Sequence, residues 1–269
     1  MSNKNISIFI DDLLRRQSVC SRAGTSAASY SPFADLSEKS LQTLLSNSHI
    51  VETEAGQVIT EQGEEPSFLY YVMAGNVKTQ RYSADGKEAT IRMLGPGETF
   101  MEDAVFTGAV SSVHAVAVNS SQMLIIPAQV ARRQMLTDPQ FSVNILKIIS
   151  RHYRNAVQQI DCIITKNPVE RLGYYFLKLH LEQGSDSMEI SLPFQKSTIA
   201  NHLGITPETF SRALAQIKKM GIDVDQEKLT LRDAYALCHF CDHDMGHDCP
   251  HYNTAECSLC PSEKGKSCH

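Results

Sequence analysis

The 269-residue chain holds no apolar run approaching the roughly 20 residues that cross a bilayer. Its first apolar stretch, Ile6–Ile10, stops at once against Asp11 and Asp12 and is too short for a secretory leader. A cytoplasmic protein with no membrane partner is therefore expected. Net charge is small, −5, with 30 acidic against 25 basic side chains. That balance excludes a uniformly cationic nucleic-acid coat but leaves room for a local basic face. No Ser-His-Asp order, phosphate loop or paired-acid constellation stands out, so an enzyme is not expected. Two gaps limit which ligands the first half of the chain could hold: no cysteine lies between Cys20 and Cys162, and no arginine between Arg92 and Arg132.

What is present is clearest at residues 197–221, STIANHLGITPETFSRALAQIKKMG. Ile199 and Leu203 stand four apart with small Ala200 between them, and Gly204 permits a sharp turn. Thr206 is a natural helix N-cap, followed by Pro207 at the first helical position, where its missing N–H costs nothing. At about 100° per residue, Phe210, Ala213, Leu214 and Ile217 then gather on one side, and Glu208, Ser211, Arg212, Ala215 and Lys219 on the other. The first face can bury against the preceding helix. The second is polar, short near its start and cationic near its end, as a helix lying in a DNA major groove requires. Ser197, Thr206 and Thr209 join Glu208, Ser211, Arg212 and Lys219 as candidate DNA contacts, and Lys196, Lys218 and Lys219 make the segment locally basic.

The E-x-x-S-R of Glu208, Ser211 and Arg212 resembles the recognition helix of the CRP/FNR family of bacterial transcription regulators, in its FNR-like branch. The resemblance implies a TTGAT-type half-site, repeated with two-fold symmetry in double-stranded DNA, and RNA polymerase as a further partner. The chemistry agrees: arginine can bond guanine O6 and N7 together, glutamate can accept from cytosine N4, and serine can bond base or phosphate. The CRP branch usually carries arginine immediately before this glutamate, where Pro207 stands here.

From about Ser31 the chain shows short apolar runs broken by glycines, with Asp85-Gly86 as a hairpin signal. Such spacing indicates a β-barrel or jelly roll, and QVITEQGEEPSFLYYVMAGNVK resembles the family's cyclic-nucleotide-binding-like roll. Nucleotide-binding members of the family hold the phosphate with Gly-Glu and a downstream Arg-Ser or Arg-Thr. Gly97-Glu98 is present, but the arginine's region reads Ala109-Val110-Ser111-Ser112-Val113. A buried phosphodiester without a cationic partner is costly to desolvate, so cyclic AMP is not the expected ligand.

Leu146, Ile149, Tyr153, Ala156, Ile160 and Ile163 succeed one another at spacings 3, 4, 3, 4, 3, a heptad seam on a helix that Asn167-Pro168 ends. The alternative is a helix face packed on its own roll; the family's long dimer helix sits here, and a two-fold homodimer would match two half-sites. A helix over Val169–Leu181, a hairpin ending near Pro193 and a wing over Ile222–Leu231 complete the expectation. The fold class is α+β: an arm (1–32), a roll (33–137), a dimerisation helix (138–167), a winged helix-turn-helix (168–236) and a Cys/His-rich tail (237–269).

That tail departs from the family. Six of eight cysteines fall in the last 32 residues: Cys238, Cys241 and Cys249 as C-x2-C-x7-C, then Cys257, Cys260 and Cys268 in the same pattern 19 residues on. In a cytosolic chain this reads as metal binding and not as disulfides. Each triplet could hold a [4Fe–4S] cluster with a fourth ligand from elsewhere. Alternatively Cys238, Cys241, Cys257 and Cys260 have the C-x2-C-x15-C-x2-C spacing of a zinc site, or the thiols carry no metal and serve redox chemistry. Some family members carry cluster cysteines after the DNA-binding domain, and the resemblance implies a response to oxygen, nitric oxide or redox state. Haem is a further option, with His114 and His152 as candidate axial ligands. A zinc tail would instead serve partner docking. Cys20 and Cys162 are not expected to bind metal.

Overall fold

The computed structural model describes residues 30–183, 187–225, 227–233, 235–246 and 249, except for the side chains of residues 243 and 244. The arm expected at 1–32 lies, but for its last three residues, outside the described residues. The chain divides between Val157 and Gln158 into two compact units, inside one long helix.

The first unit opens with α1 (Glu38–Ser46), capped by Ser37, whose hydroxyl accepts from the Ser40 amide, and burying Leu41, Leu44 and Leu45. Eight strands come next: β1 (His49–Thr53), β2 (Val58–Thr60), β3 (Phe68–Ala74), β4 (Val77–Tyr82), β5 (Glu88–Leu94), β6 (Thr99–Phe100), β7 (His114–Ala117) and β8 (Ser121–Pro127), with α2 (Glu102–Thr107) between β6 and β7. They pair antiparallel in two four-stranded sheets, ordered β1-β8-β3-β6 and β2-β7-β4-β5. The chain passes repeatedly between the two sheets, which is the expected roll. The Asp85-Gly86 signal lies in the β4–β5 turn, where Gly86 takes φ +79° and the Ser83 amide donates to the Lys87 carbonyl. A tighter constraint falls at Gly75, whose φ is +79° and where an added Cβ would stand 2.4 Å from Ser121 Oγ.

Leu69, Phe100, Met123, Leu124 and Ile126 are all fully buried and line both faces of the β1-β8-β3-β6 sheet in the strands' two-residue alternation, with Tyr70 stacked on Phe100 at 4.6 Å. Each such side chain contributes about 1.5–3 kcal/mol by leaving water. Helix α3 (Ala128–Thr137) and the start of α4 (Pro139–Thr165) close the unit, with Phe141, Ile145 and Ile148 fully buried. Asp138 caps α4 by accepting from the Gln140 and Phe141 amides.

In the second unit α4 runs out at Thr165 and α5 (Pro168–Gln183) begins through a reciprocal cap. Asn167 Oδ1 accepts from the Val169 and Glu170 amides, and Glu170 Oε2 accepts from the Asn167 amide at 2.8 Å. Proline at the first helical position completes the start signal. Then come β9 (Glu189–Ser191), α6 (Lys196–His202), α7 (Pro207–Lys219), β10 (Ile222–Asp225) and β11 (Lys228–Leu231), with strand order β10-β11-β9. The expected wing is the β10–β11 hairpin. Among the described residues the hairpin expected to end near Pro193 does not form: β9 is a single strand, and its Ile190 pairs with Leu229 of the wing, far downstream. Local patterning sees that a strand is present but not where its partner lies. Beyond the wing, a 3-10 turn (Cys238–Phe240) and α8 (His243–Gly246) begin the tail.

Candidate nucleic-acid interface

Helices α6 and α7 form the helix-turn-helix. Ile199, Ala200 and Leu203 of the first half are buried, as are Phe210, Ala213 and Ile217 of the second. Gly204 sits between them at φ +63°, a left-handed conformation that a side chain would strain. Thr206 caps α7 by accepting from the Thr209 amide at 3.3 Å. These local signals fix which face of α7 turns outward. Ser197, Thr206, Glu208, Ser211, Arg212 and Lys219 are all exposed and Thr209 is half-buried. The Arg212 guanidinium donates to Thr209 Oγ1 at 3.1 Å, which holds it over the first turn of α7. The backbone amide and the Thr206 hydroxyl at the helix start, then Arg212, hold the Glu208 carboxyl below its usual range, so it is ionised and an acceptor at neutral pH. Lys218 pairs with Asp223 at 2.9 Å. Ser211 donates to the Pro207 carbonyl, which leaves its oxygen lone pairs available as acceptors. The outward face therefore offers one carboxylate acceptor, one hydroxyl and one fork of donors within two turns, the set that reads base edges.

All six seam residues of α4 sit on its outward side. Leu146 is 63% exposed, Tyr153 72% and Ile160 58%, with Ala156 exposed and Ile149 and Ile163 at 37% and 39%. The stripe also includes Val143, Val157 and Ile164, the last 76% exposed, which the heptad count passed over.

In the roll, Gly97 lies at φ +95°, and Glu98 accepts from the Gly95 amide at 2.8 Å while pairing with Arg151. Ser111, within the 109–113 segment where the nucleotide-binding pattern would put arginine, is buried and donates to the Val113 carbonyl. Nearby, a cavity of about 140 Å³ is lined by Thr60, Glu64, Glu65, Tyr70 and Ser111, among others. It is smaller than the roughly 300–1,000 Å³ of typical small-molecule sites, and its charged lining is acidic. Arg92, on β5, donates to Glu102 and to the Thr99 carbonyl and lies 2.8 Å from His152 Nε2, while His152 Nδ1 bonds Glu102. Burial alone would raise the Glu102 carboxyl, but Arg92 and the His152 hydrogen bond outweigh it and hold that carboxyl below its ordinary value. Sequence reasoning missed this triad, because its members come from β5, α2 and α4 and share no local pattern.

Both ring nitrogens of His152 are thus engaged, and His114 accepts from the Gln62 amide and packs edge-on against Tyr82. As arranged, His152 has no free nitrogen for a haem iron, and the Nδ1 of His114 is taken. In the tail, Cys238 and Cys241 bracket one 3-10 turn, with the Cys241 amide donating to the Cys238 carbonyl at 3.1 Å. Cys249 does not join them: among the described residues no three His, Cys, Asp or Glu side chains converge as a metal would require. Cys257, Cys260 and Cys268 lie outside the described residues. Cys162 is buried on α4, and burial pushes its thiol up despite Lys166 and Arg171 nearby.

An antiparallel roll followed by a long helix with an outward apolar seam and a winged helix-turn-helix defines a class: DNA-binding regulators with an effector-type domain. Comparison with known proteins narrows it. Residues 50–138 match the cyclic nucleotide-binding domain, and residues 170–240 the Crp-like helix-turn-helix domain. The chain belongs to the CRP/FNR family of transcription regulators, and its relatives are regulators, not enzymes. It is 29% identical to an anaerobic regulatory protein of Pasteurella multocida, over 67% of this chain and 67% of that one. It is also 29% identical to a cyclic AMP receptor protein of Thermus thermophilus, over 62% of this chain and 76% of that one. In fold it matches the structure of FixK2 from Bradyrhizobium japonicum, with a TM-score of 0.66 at 20% identity, covering 72% of this chain and 96% of that one.

Proposed function

We propose that this transcription regulator reads a two-fold TTGAT-type operator as a homodimer and answers to oxygen, nitric oxide or redox state through its cysteine tail and not to cyclic AMP. The observation that carries the DNA half is the exposed Glu208-Ser211-Arg212 face, presented by a helix whose opposite side is buried. The outward stripe of α4 supports the dimer, since a symmetric protein matches a symmetric operator. RNA polymerase is the partner such a regulator acts upon.

The roll's own chemistry argues against an anionic nucleotide. Its cavity presents two carboxylates, and Arg92 is already paired with Glu102. With His114 and His152 engaged by their neighbours, haem is not part of this reading.

The tail's donor set suits a thiophilic metal. Cys238 and Cys241 come from one turn, as chelating pairs do, and thiolates take iron–sulfur clusters or zinc. In the iron–sulfur assignment Cys238 and Cys241 would be joined by Cys249, which stands apart from them here, in holding one cluster, and Cys257, Cys260 and Cys268 would hold a second; the cluster supplies an oxidisable centre. The C-x2-C-x15-C-x2-C spacing favours a single structural zinc as the second reading. Protein purified without oxygen decides between them. A brown absorbance that bleaches in air, with iron and acid-labile sulfide in stoichiometric amount, supports the first. Colourless protein with one zinc per chain supports the second, and protein without stoichiometric metal removes the tail from the sensing role. Replacing Cys238 and Cys241 with serine should empty one of two iron–sulfur sites, but abolish the whole of a shared zinc site.

A further inference from the structure

The base of the tail is built into the DNA-reading unit. Ala236, Leu237 and Phe240 are buried, so the core continues past the wing into the first cysteine turn. The Phe240 ring lies against Gly173, in the first half of α5, where an added Cβ would stand 2.3 Å from the ring carbons. Glycine is a poor helix residue, and at this position it makes room for the ring. Two residues on, Asp242 Oδ2 meets Lys166 Nζ at 3.0 Å, and the ammonium lies 5.1 Å over the Tyr174 ring. Partial burial disfavours the Lys166 ammonium, but its bond to Asp242 outweighs that and holds the amine above its ordinary value.

These contacts bracket the thiols. Cys238 and Cys241 flank Phe240 within a single turn, so moving either sulfur moves the ring or the backbone that carries Asp242. At the other end, Lys166 directly precedes the Asn167 cap that opens α5, and α5 packs against the reading helix α7. We propose that Phe240 and Asp242 seat the cysteine tail on the DNA-reading unit, so that whatever occupies the Cys238–Cys241 thiol pair changes operator affinity through the Phe240–Gly173 contact and the Asp242–Lys166 pair. This rests on the proposed function in two respects, DNA binding by α7 and ligand binding by this thiol pair, and requires no particular metal.

The test therefore uses a defined probe for neighbouring thiols. Phenylarsine oxide condenses with two thiols, forming two As–S bonds and releasing one water, with no change in oxidation state. In the full-length chain carrying Cys257→Ser, Cys260→Ser and Cys268→Ser, made metal-free under reductant, one arsenical should bind per chain. Operator affinity should then shift at least about fivefold, the low end of ordinary allosteric coupling. Phe240→Ala, Gly173→Ala and Asp242→Asn in that background should still take up one arsenical and bind operator when unloaded, but shift less than about twofold on loading. Phe240→Leu, which still fills the space, should keep most of the shift and guards against general loss of fold.

An undiminished shift in Phe240→Ala and Asp242→Asn would overturn the proposal, as would failure of the unsubstituted background to bind the arsenical or to respond to it. A protein that binds no operator under any condition would instead overturn the DNA-reading assignment. The two failures are thus distinguishable.

Discussion

Ile160→Glu places a carboxylate in the C-terminal half of the outward stripe of α4. Ile160 is 58% exposed in the single chain and stands between Tyr153 and Val157 on one side and Ile164 on the other. Fully burying an isoleucine side chain is worth about 1.5–3 kcal/mol, so covering the exposed part of this one in a dimer contributes about 1–1.7 kcal/mol. A two-fold axis doubles that, to about 2–3.5 kcal/mol per dimer. At 1.4 kcal/mol per decade, losing it raises the dimer dissociation constant by about 20–300-fold. The figure is a lower bound, because two like charges would also be desolvated near the symmetry axis. Sedimentation equilibrium across a concentration series gives the constant directly, and far-UV circular dichroism checks that α4 persists. An unchanged dimer constant would remove the seam from this account, and the two-fold operator with it.

Three further outcomes rest on local geometry and chemistry. Asn167→Ala removes the side-chain oxygen that accepts from Val169 and Glu170, and should destabilise the second unit by about 0.5–2 kcal/mol in urea unfolding; no change would mean that α5 starts without its cap. Glu102 titrates below its ordinary value in the folded state. Its contribution to stability is therefore fully present above the usual carboxylate pKa of 4.5 and is lost as pH falls below that through the depressed folded value. Comparison of acid unfolding of wild type and Glu102→Gln should show a shallower pH slope in the variant below pH 4.5, and parallel curves would contradict the triad's role. Replacing both Cys238 and Cys241 with serine should lower bound iron and sulfide by one of two clusters, or remove zinc altogether, with metal counted per chain.

The parts legible in the sequence were those whose cause is local. The Ile199–Leu203 pair, Gly204, the Thr206 cap and the 100° alternation of α7 are all consequences of near neighbours, and each has its expected place. The exposed apolar stripe of α4 was legible but turned slightly. A strict heptad assumes 3.5 residues per turn, whereas a straight helix has 3.6 and drifts by about 20° per heptad. That drift brings Val157 and Ile164 toward the middle of the stripe and leaves Ala156 and Ile163 at its edge. Pairings between distant segments left no trace in any window. The strand at 189–191 joins the wing, Arg92 reaches Glu102 and His152 across three elements, and Phe240 finds Gly173 from 67 positions away. The N-P-V-E start of α5 is a missed case of a different kind: Asn167 and Glu170 carry a reciprocal cap that the spacing alone would have announced.

The central claim, base-specific reading by the outward face of α7, is tested most directly by the affinity of wild type and Arg212→Ala for one two-fold TTGAT-type duplex and for its single-base-pair variants at fixed salt. Arg212→Ala should lose about 1–3 kcal/mol on the matched operator and become indifferent to one base pair in each half-site, while keeping its preferences at the others. Equal weakening on matched and mismatched duplexes would contradict the claim, since it would place Arg212 on phosphate and leave the sequence unread by this helix.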